Sequence, residues 1–87
     1  MPFYVYMLQS ESTGRYYIGH TRDLQERLLR HNEGRAGYTR AGRPWRLVYC
    51  EEHQSRGAAV KRELELKGKH RRSVLEALVR SQSTGSG

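Results

Sequence analysis

Residues 3–8 (Phe-Tyr-Val-Tyr-Met-Leu) are apolar at every position, and no other feature narrows the fold as much. Read as a strand, the segment puts Phe3, Val5 and Met7 on one face and Tyr4, Tyr6 and Leu8 on the other. Both faces then need cover, so the sheet must carry packed elements on its two sides. Residues 9–14 are turn chemistry ending in Gly14, which is free to take positive φ. Residues 15–19 follow as a second strand, and so short a connection predicts an antiparallel hairpin. With 87 residues and 36% hydrophobic content, there is room for one compact core.

Later segments continue the pattern. Gly19 ends the second strand, either as a simple turn or as a point where a ligand or backbone comes close. Thr21 is the expected N-cap of a helix through Asn32, with Leu24, Leu28 and Leu29 as its buried face. Arg27 and His31 lie one turn apart on the border of that face, where a side chain can bury its stem and present its head to a cleft. Their ordinary roles are an Asp23–Arg27 surface pair and a cation at the helix C-terminus. Residues 33–44 read as a long loop, with Gly34, Gly37 and Gly42 among Arg35, Arg40 and Arg43, and Tyr38-Thr39 in the middle. Such a loop suits contact with phosphates and base stacking, against the plainer reading of a mobile surface loop.

A third strand is expected over residues 45–52, with Leu47 and Tyr49 facing one way and Val48 and Cys50 the other. Ser55 is the expected N-cap of a second helix ending near Gly68. A third, short helix presents Val74, Leu75, Leu78 and Val79. Residues 81–87 read as a flexible polar tail behind one domain over residues 1–80. The fold class is α+β: a small three-stranded antiparallel or mixed sheet flanked by helices, in the order β-β-α-β-α-α.

Charge narrows the partner. A formal charge of +7 on so small a chain favours a polyanion, with nucleic acid the default and solubility the plainer explanation. One cysteine, Cys50, permits no internal disulfide, and its apolar neighbours suggest a buried thiol. A zinc site from Cys50-x-x-His53 lacks the usual ligand set. The sequence shows neither a membrane span nor a leader, which points to the cytoplasm. Six tyrosines against one phenylalanine suggest that some phenol hydroxyls are wanted.

Glu63 is the anomaly of the second helix. With Ala58 at 0°, Leu66 falls at about 80°, Ala59 at about 100°, Val60 at about 200° and Leu64 at about 240°, so Glu63 at about 140° lies inside the apolar arc. An inward carboxylate needs a partner or a metal. Lys67, one turn on, is the ordinary partner, but lysine can reach water while the shorter glutamate cannot.

Together these residues resemble the GIY-YIG nuclease superfamily, in particular its small single-domain bacterial members of the UPF0213 type. Tyr4-Val5-Tyr6 stands where that family has Gly-Ile-Tyr, and Tyr17-Ile18-Gly19 is the second half intact. Arg27-x-x-x-His31, Tyr38-Thr39 and Ala59-Val60-Lys61-Arg62-Glu63 follow in the family's order, over residues 3–80. The resemblance implies a bacterial endonuclease that hydrolyses phosphodiester bonds in DNA with one Mg²⁺ or Mn²⁺, in repair or recombination. It implies Glu63 as metal ligand, Tyr6 and Tyr17 orienting the water or phosphate with one of them as base, Arg27 stabilising the phosphorane and His31 assisting. His20 stands where relatives are often basic. Nucleic-acid contacts are expected from His20, Arg35, Tyr38, Thr39, Arg40, Arg43, Lys67, Lys69 and Arg71.

The chemistry is compatible with that set. Phosphodiester hydrolysis needs an activated water, a Lewis acid and positive charge on the developing phosphorane. A tyrosine base, ordinarily titrating near pH 10, would need a cation beside it. Two other readings remain: a weakly active or non-catalytic nucleic-acid-binding module, and a subunit lending this domain to a larger complex, with a protein partner supplying target choice.

Overall fold

A computed structural model of the chain describes residues 2–35, 37–68 and 72–85, without the side chains of residues 38 and 83–85. The elements run β1 (Phe3–Ser10), β2 (Tyr16–Thr21), α1 (Leu24–Asn32), a 3-10 helix (Gly37–Gly42), β3 (Trp45–His53), α2 (Arg56–Gly68) and α3 (Arg72–Gly85). The three strands form one antiparallel sheet in the order β2-β1-β3. Gly14 closes the β1–β2 turn at φ +79°, which a residue without Cβ adopts freely.

β1 is the middle strand, and its two faces carry two cores. Val5 and Met7 join Ile18, Tyr49, Ala59 and Leu66 of α2, and Leu75 of α3. Tyr6 and Leu8 join Trp45, with Tyr17, Leu24 and Leu28 packed against them. Helices therefore cover both sides, as the unbroken apolar run of β1 requires. No helix among the described residues is long and apolar enough to cross a membrane.

Several details differ from the sequence expectation. The N-cap of α1 is Asp23, whose Oδ1 accepts from the Glu26 backbone N at 3.0 Å, while Thr21 Oγ1 accepts from Asp23 N at 3.1 Å. Leu29 is 53% exposed, because the helix turns His31 inward (2% exposed). The inward stripe is thus Leu24, Leu28 and His31, and Leu29 lies about 100° past Leu28 on its far side. A register irregularity between Met7 and Leu8 sets Tyr49 opposite Met7 and Leu47 opposite Leu8. Val48 is the extra residue of that bulge, so Leu47 and Tyr49 fall on opposite faces rather than together.

Ser55 does cap α2, its Oγ accepting from Ala58 N at 3.1 Å. The inward stripe of α2 is Ala59, Glu63 and Leu66, spaced i, i+4, i+7, and Leu64 points to solvent. The segment expected to be a flexible tail begins as helix: α3 runs to Gly85. Its Gln82 amide holds the Cys50 backbone, accepting from N at 3.0 Å and donating to O at 2.6 Å.

Candidate active site

The first half of the site is built on Tyr6 and Gly19, which stand opposite each other in the β1–β2 ladder. The Tyr6 ring lies across Gly19: a Cβ there would come 2.6 Å from the phenol oxygen and 2.8 Å from Cζ. Close approach, rather than a turn requirement, thus explains this glycine. Beyond Gly19 the Tyr6 hydroxyl meets His31 Nε2 at 3.2 Å, and His31 Nδ1 meets Thr39 Oγ1 at 2.7 Å. The Thr39 carbonyl accepts from Trp45 Nε1 at 2.7 Å. Tyr17 stands edge-on to His31 with ring centroids 4.8 Å apart, and 6.3 Å from Tyr6.

This buried relay corrects two expectations. Thr39, expected to touch nucleic acid, is buried and orients His31 instead. His31 is no exposed cation at a helix end. Burial, then the nearby Arg27 and Arg30 charges, hold its pKa below the ordinary 6.5, so the ring is neutral at pH 7 and donates from one nitrogen while accepting at the other. Burial also pushes the Tyr6 phenol well above its ordinary 10, with Tyr17 adding to the rise and Arg27 opposing it in part. Tyr6 is consequently a protonated hydrogen-bonding group across the neutral range.

Arg27 opens the second half. It lines a cleft of about 380 Å³ at the end of β2, together with His20, Arg22 and Arg56, with Asp23 the sole acid among the lining residues. Asp23 caps α1 and makes no ion pair with Arg27. Arg30, Arg35, Arg62 and Arg72 each have a carboxylate partner, whereas no ion pair among the described residues neutralises Arg22, Arg27 or Arg56. The Arg27 Nε is buried without a hydrogen-bond partner. It shares that state with His53 Nε2 among the described residues.

Glu63 enters from α2 on the other face of β2. Strand alternation points His20 away from the Tyr17–Gly19 side and toward α2, where its Nδ1 lies 2.5 Å from Glu63 Oε1. An ionised carboxylate only accepts, so that nitrogen carries the proton. Lys67 Nζ donates to Glu63 Oε2 at 2.5 Å. Burial alone would raise the Glu63 carboxyl, but the bonds from Lys67 and His20 outweigh it and hold it below the usual range. The acid therefore turns inward, with 14% of its side chain exposed, yet its direct partners are His20 and Lys67 rather than the two phenols. His20 bridges the halves, bound to Glu63 and lining the Arg27 cleft. The Glu63 charge still reaches the Tyr6 phenol and adds to its rise.

Among the described residues no three His, Cys, Asp or Glu side chains cluster as a metal cage. A hard divalent ion here would have one protein oxygen ligand, Glu63, and fill its other positions from water and phosphate. Mg²⁺ accepts such a set, so the donors fit provided Lys67 can leave Oε2.

The remaining expected contacts are dispersed. Arg35 pairs with Glu33 at 2.8 Å. Arg40 and Arg43 line a separate cleft of about 700 Å³ beside Asn32. The Tyr38 side chain, Lys69 and Arg71 lie outside the described residues. Arg22 and Arg56 escaped the sequence reading because each looks like an ordinary surface residue, one in a turn and one at a helix start. Only the excess of cations gave any hint of them.

The profile of the GIY-YIG catalytic domain matches residues 2–76. A UPF0213 protein from Streptococcus sanguinis is 44% identical over 73 residues, covering 83% of each chain. One from Staphylococcus saprophyticus is 36% identical over 76 residues, covering 86% of this chain and 92% of its own. The solution NMR structure of a UPF0213 protein from Bacillus halodurans superposes with a TM-score of 0.56 at 36% identity, over 92% of this chain and 84% of that one.

Proposed function

The chain belongs to the GIY-YIG family, and from that premise we propose that it is a divalent-metal-dependent endonuclease of DNA, acting through Arg27, Tyr17, Tyr6, His31 and Glu63. The observation that carries the reading is the cleft of three arginines without carboxylate partners, which His20, bound to an inward carboxylate, also lines. An unneutralised arginine cleft suits a phosphate and little else in a small basic domain.

In this reading the scissile phosphate lies on the Arg27 guanidinium where it lines the cleft, and that cation stabilises a non-bridging oxygen as charge grows there. Tyr17, less buried than Tyr6, faces the attacking water. Tyr6, kept protonated by burial, orients the phosphate as a donor and is itself held by neutral His31. Water attacks phosphorus and loses its proton to the Tyr17 oxygen, which acts as the base in its deprotonated form. The P–O bond to the departing nucleotide breaks, and that oxygen gains a proton from solvent. A divalent ion on Glu63 supplies Lewis acidity when bound.

A binding module without turnover is favoured by one observation: both Glu63 oxygens are held by Lys67 and His20. Labelled single-stranded, duplex and branched DNA and RNA incubated with Mg²⁺ or Mn²⁺ decide between the two. Cleavage by the native chain that is lost in Glu63→Ala and Tyr17→Phe, with binding retained by Glu63→Ala, supports the nuclease. Cleavage that Glu63→Ala leaves unchanged removes the metal assignment.

A further inference from the structure

The two donors on Glu63 differ in freedom. His20 is part of β2, paired with Val5 across the ladder, and its short side chain, 28% exposed, is tied to the strand that carries it. Lys67 sits one turn beyond Glu63, next to the last residue of α2, with 44% of its side chain exposed. An ammonium on a four-carbon stem can leave for water or another anion with no backbone movement. A hard divalent cation must share the Glu63 oxygen that Lys67 already bonds, and two cations on one carboxylate repel each other.

Resting on the reading of Glu63 as the metal-binding carboxylate, we propose that Lys67 is a resident counter-cation: it holds the divalent-ion position closed in the free protein and moves to a substrate phosphate when the ion enters. Ordinary i,i+4 pairs join exposed groups and can open without consequence. This one instead closes half of an inward carboxylate whose other half is taken by His20. Metal entry thereby becomes linked to nucleic acid. The ion binds weakly alone and more tightly when phosphate has drawn Lys67 away, and by reciprocity the ion strengthens nucleic-acid binding.

Equilibrium Mn²⁺ binding to the full chain without nucleic acid, read from the electron paramagnetic resonance of free Mn²⁺, tests this independently of turnover. Lys67→Gln is expected to tighten binding about tenfold, while Lys67→Arg, which keeps the cation, stays weak. Lys61→Gln removes the same charge from an exposed position on α2 and is expected to change affinity by less than about twofold. Equal tightening by Lys61→Gln would reduce the effect to net charge and overturn the proposal. Binding that depends on Glu63 but is unmoved or weakened by Lys67→Gln also overturns it, leaving Glu63 as ligand. Binding that survives Glu63→Gln overturns the metal reading itself, and the counter-cation with it.

Discussion

Asn32 and Trp45 exchange two hydrogen bonds: Asn32 Nδ2 donates to the Trp45 carbonyl at 2.9 Å, and Trp45 N donates to Asn32 Oδ1 at 2.6 Å. The last residue of α1 is thereby fastened to the first residue of β3, so the helix carrying Arg27 and His31 cannot drift along the sheet. At about 1 kcal/mol net per bond, Asn32→Ala is expected to lower unfolding free energy by about 1–3 kcal/mol. Asn32→Asp keeps the acceptor but sets a carboxylate oxygen against the Trp45 carbonyl, so it should fall at least as far. Urea denaturation of the three proteins checks the order.

Gly19→Ala is expected to destabilise through Tyr6. A Cβ 2.6 Å from a buried phenol oxygen pushes the ring off His31, and overpacking of this kind costs about 1–3 kcal/mol. The penalty should shrink when Tyr6 is first replaced by alanine, which removes the obstacle. A double-mutant cycle on denaturant midpoints measures the coupling. Additive losses would mean that the ring and the glycine are not in contact.

Stability is expected to depend on pH through His31. Its folded pKa lies below the unfolded value near 6.5, so on acidification the unfolded chain takes the proton first. The stability contributed by neutral, buried His31 is present above about pH 6.5 and is lost as the pH falls through the folded pKa. The melting temperature should therefore drop between pH 7 and pH 5 in the native chain and drop less in His31→Gln. Arg27→Gln removes a nearby cation and should raise the His31 pKa, which proton NMR of the imidazole reads directly.

Nucleic-acid affinity is expected to follow the three arginines of the cleft at the end of β2. Arg22→Gln, Arg27→Gln and Arg56→Gln should each weaken binding and reduce the slope of log affinity against log salt by about one. Arg62→Gln should leave that slope unchanged, because Arg62 is held by Glu51 at 2.6 Å and Glu65 at 3.3 Å. Fluorescence anisotropy across a salt series gives both quantities.

What the sequence disclosed depended on how local the cause was. The alternation of residues 3–8 fixed which side chains reach which core, and Ser55 announced its helix, because a strand face and an N-cap are set by neighbours in the chain. Glu63 was conspicuous from its angle on the helix alone. Leu29 departs from its expected burial because nothing near it in the chain shows that His31 goes inside; that acceptance comes from Tyr6 and Thr39, 25 and 8 residues from His31. The bulge at Val48 leaves no mark in β3, since it arises from pairing with Met7 and Leu8. His20 is marked in the sequence only by resemblance, as a position where relatives are often basic, because its hold on Glu63 needs two elements 43 residues apart.

The Gln82 amide on Cys50 has a wider consequence. β3 borders the sheet opposite β2, and a bordering strand offers its free N–H and C=O groups to any extended peptide. One side-chain amide, donating and accepting as a neighbouring strand would, occupies that place on Cys50. Shortening the chain before Gln82 is therefore expected to leave the Cys50 backbone groups of this edge open to pairing.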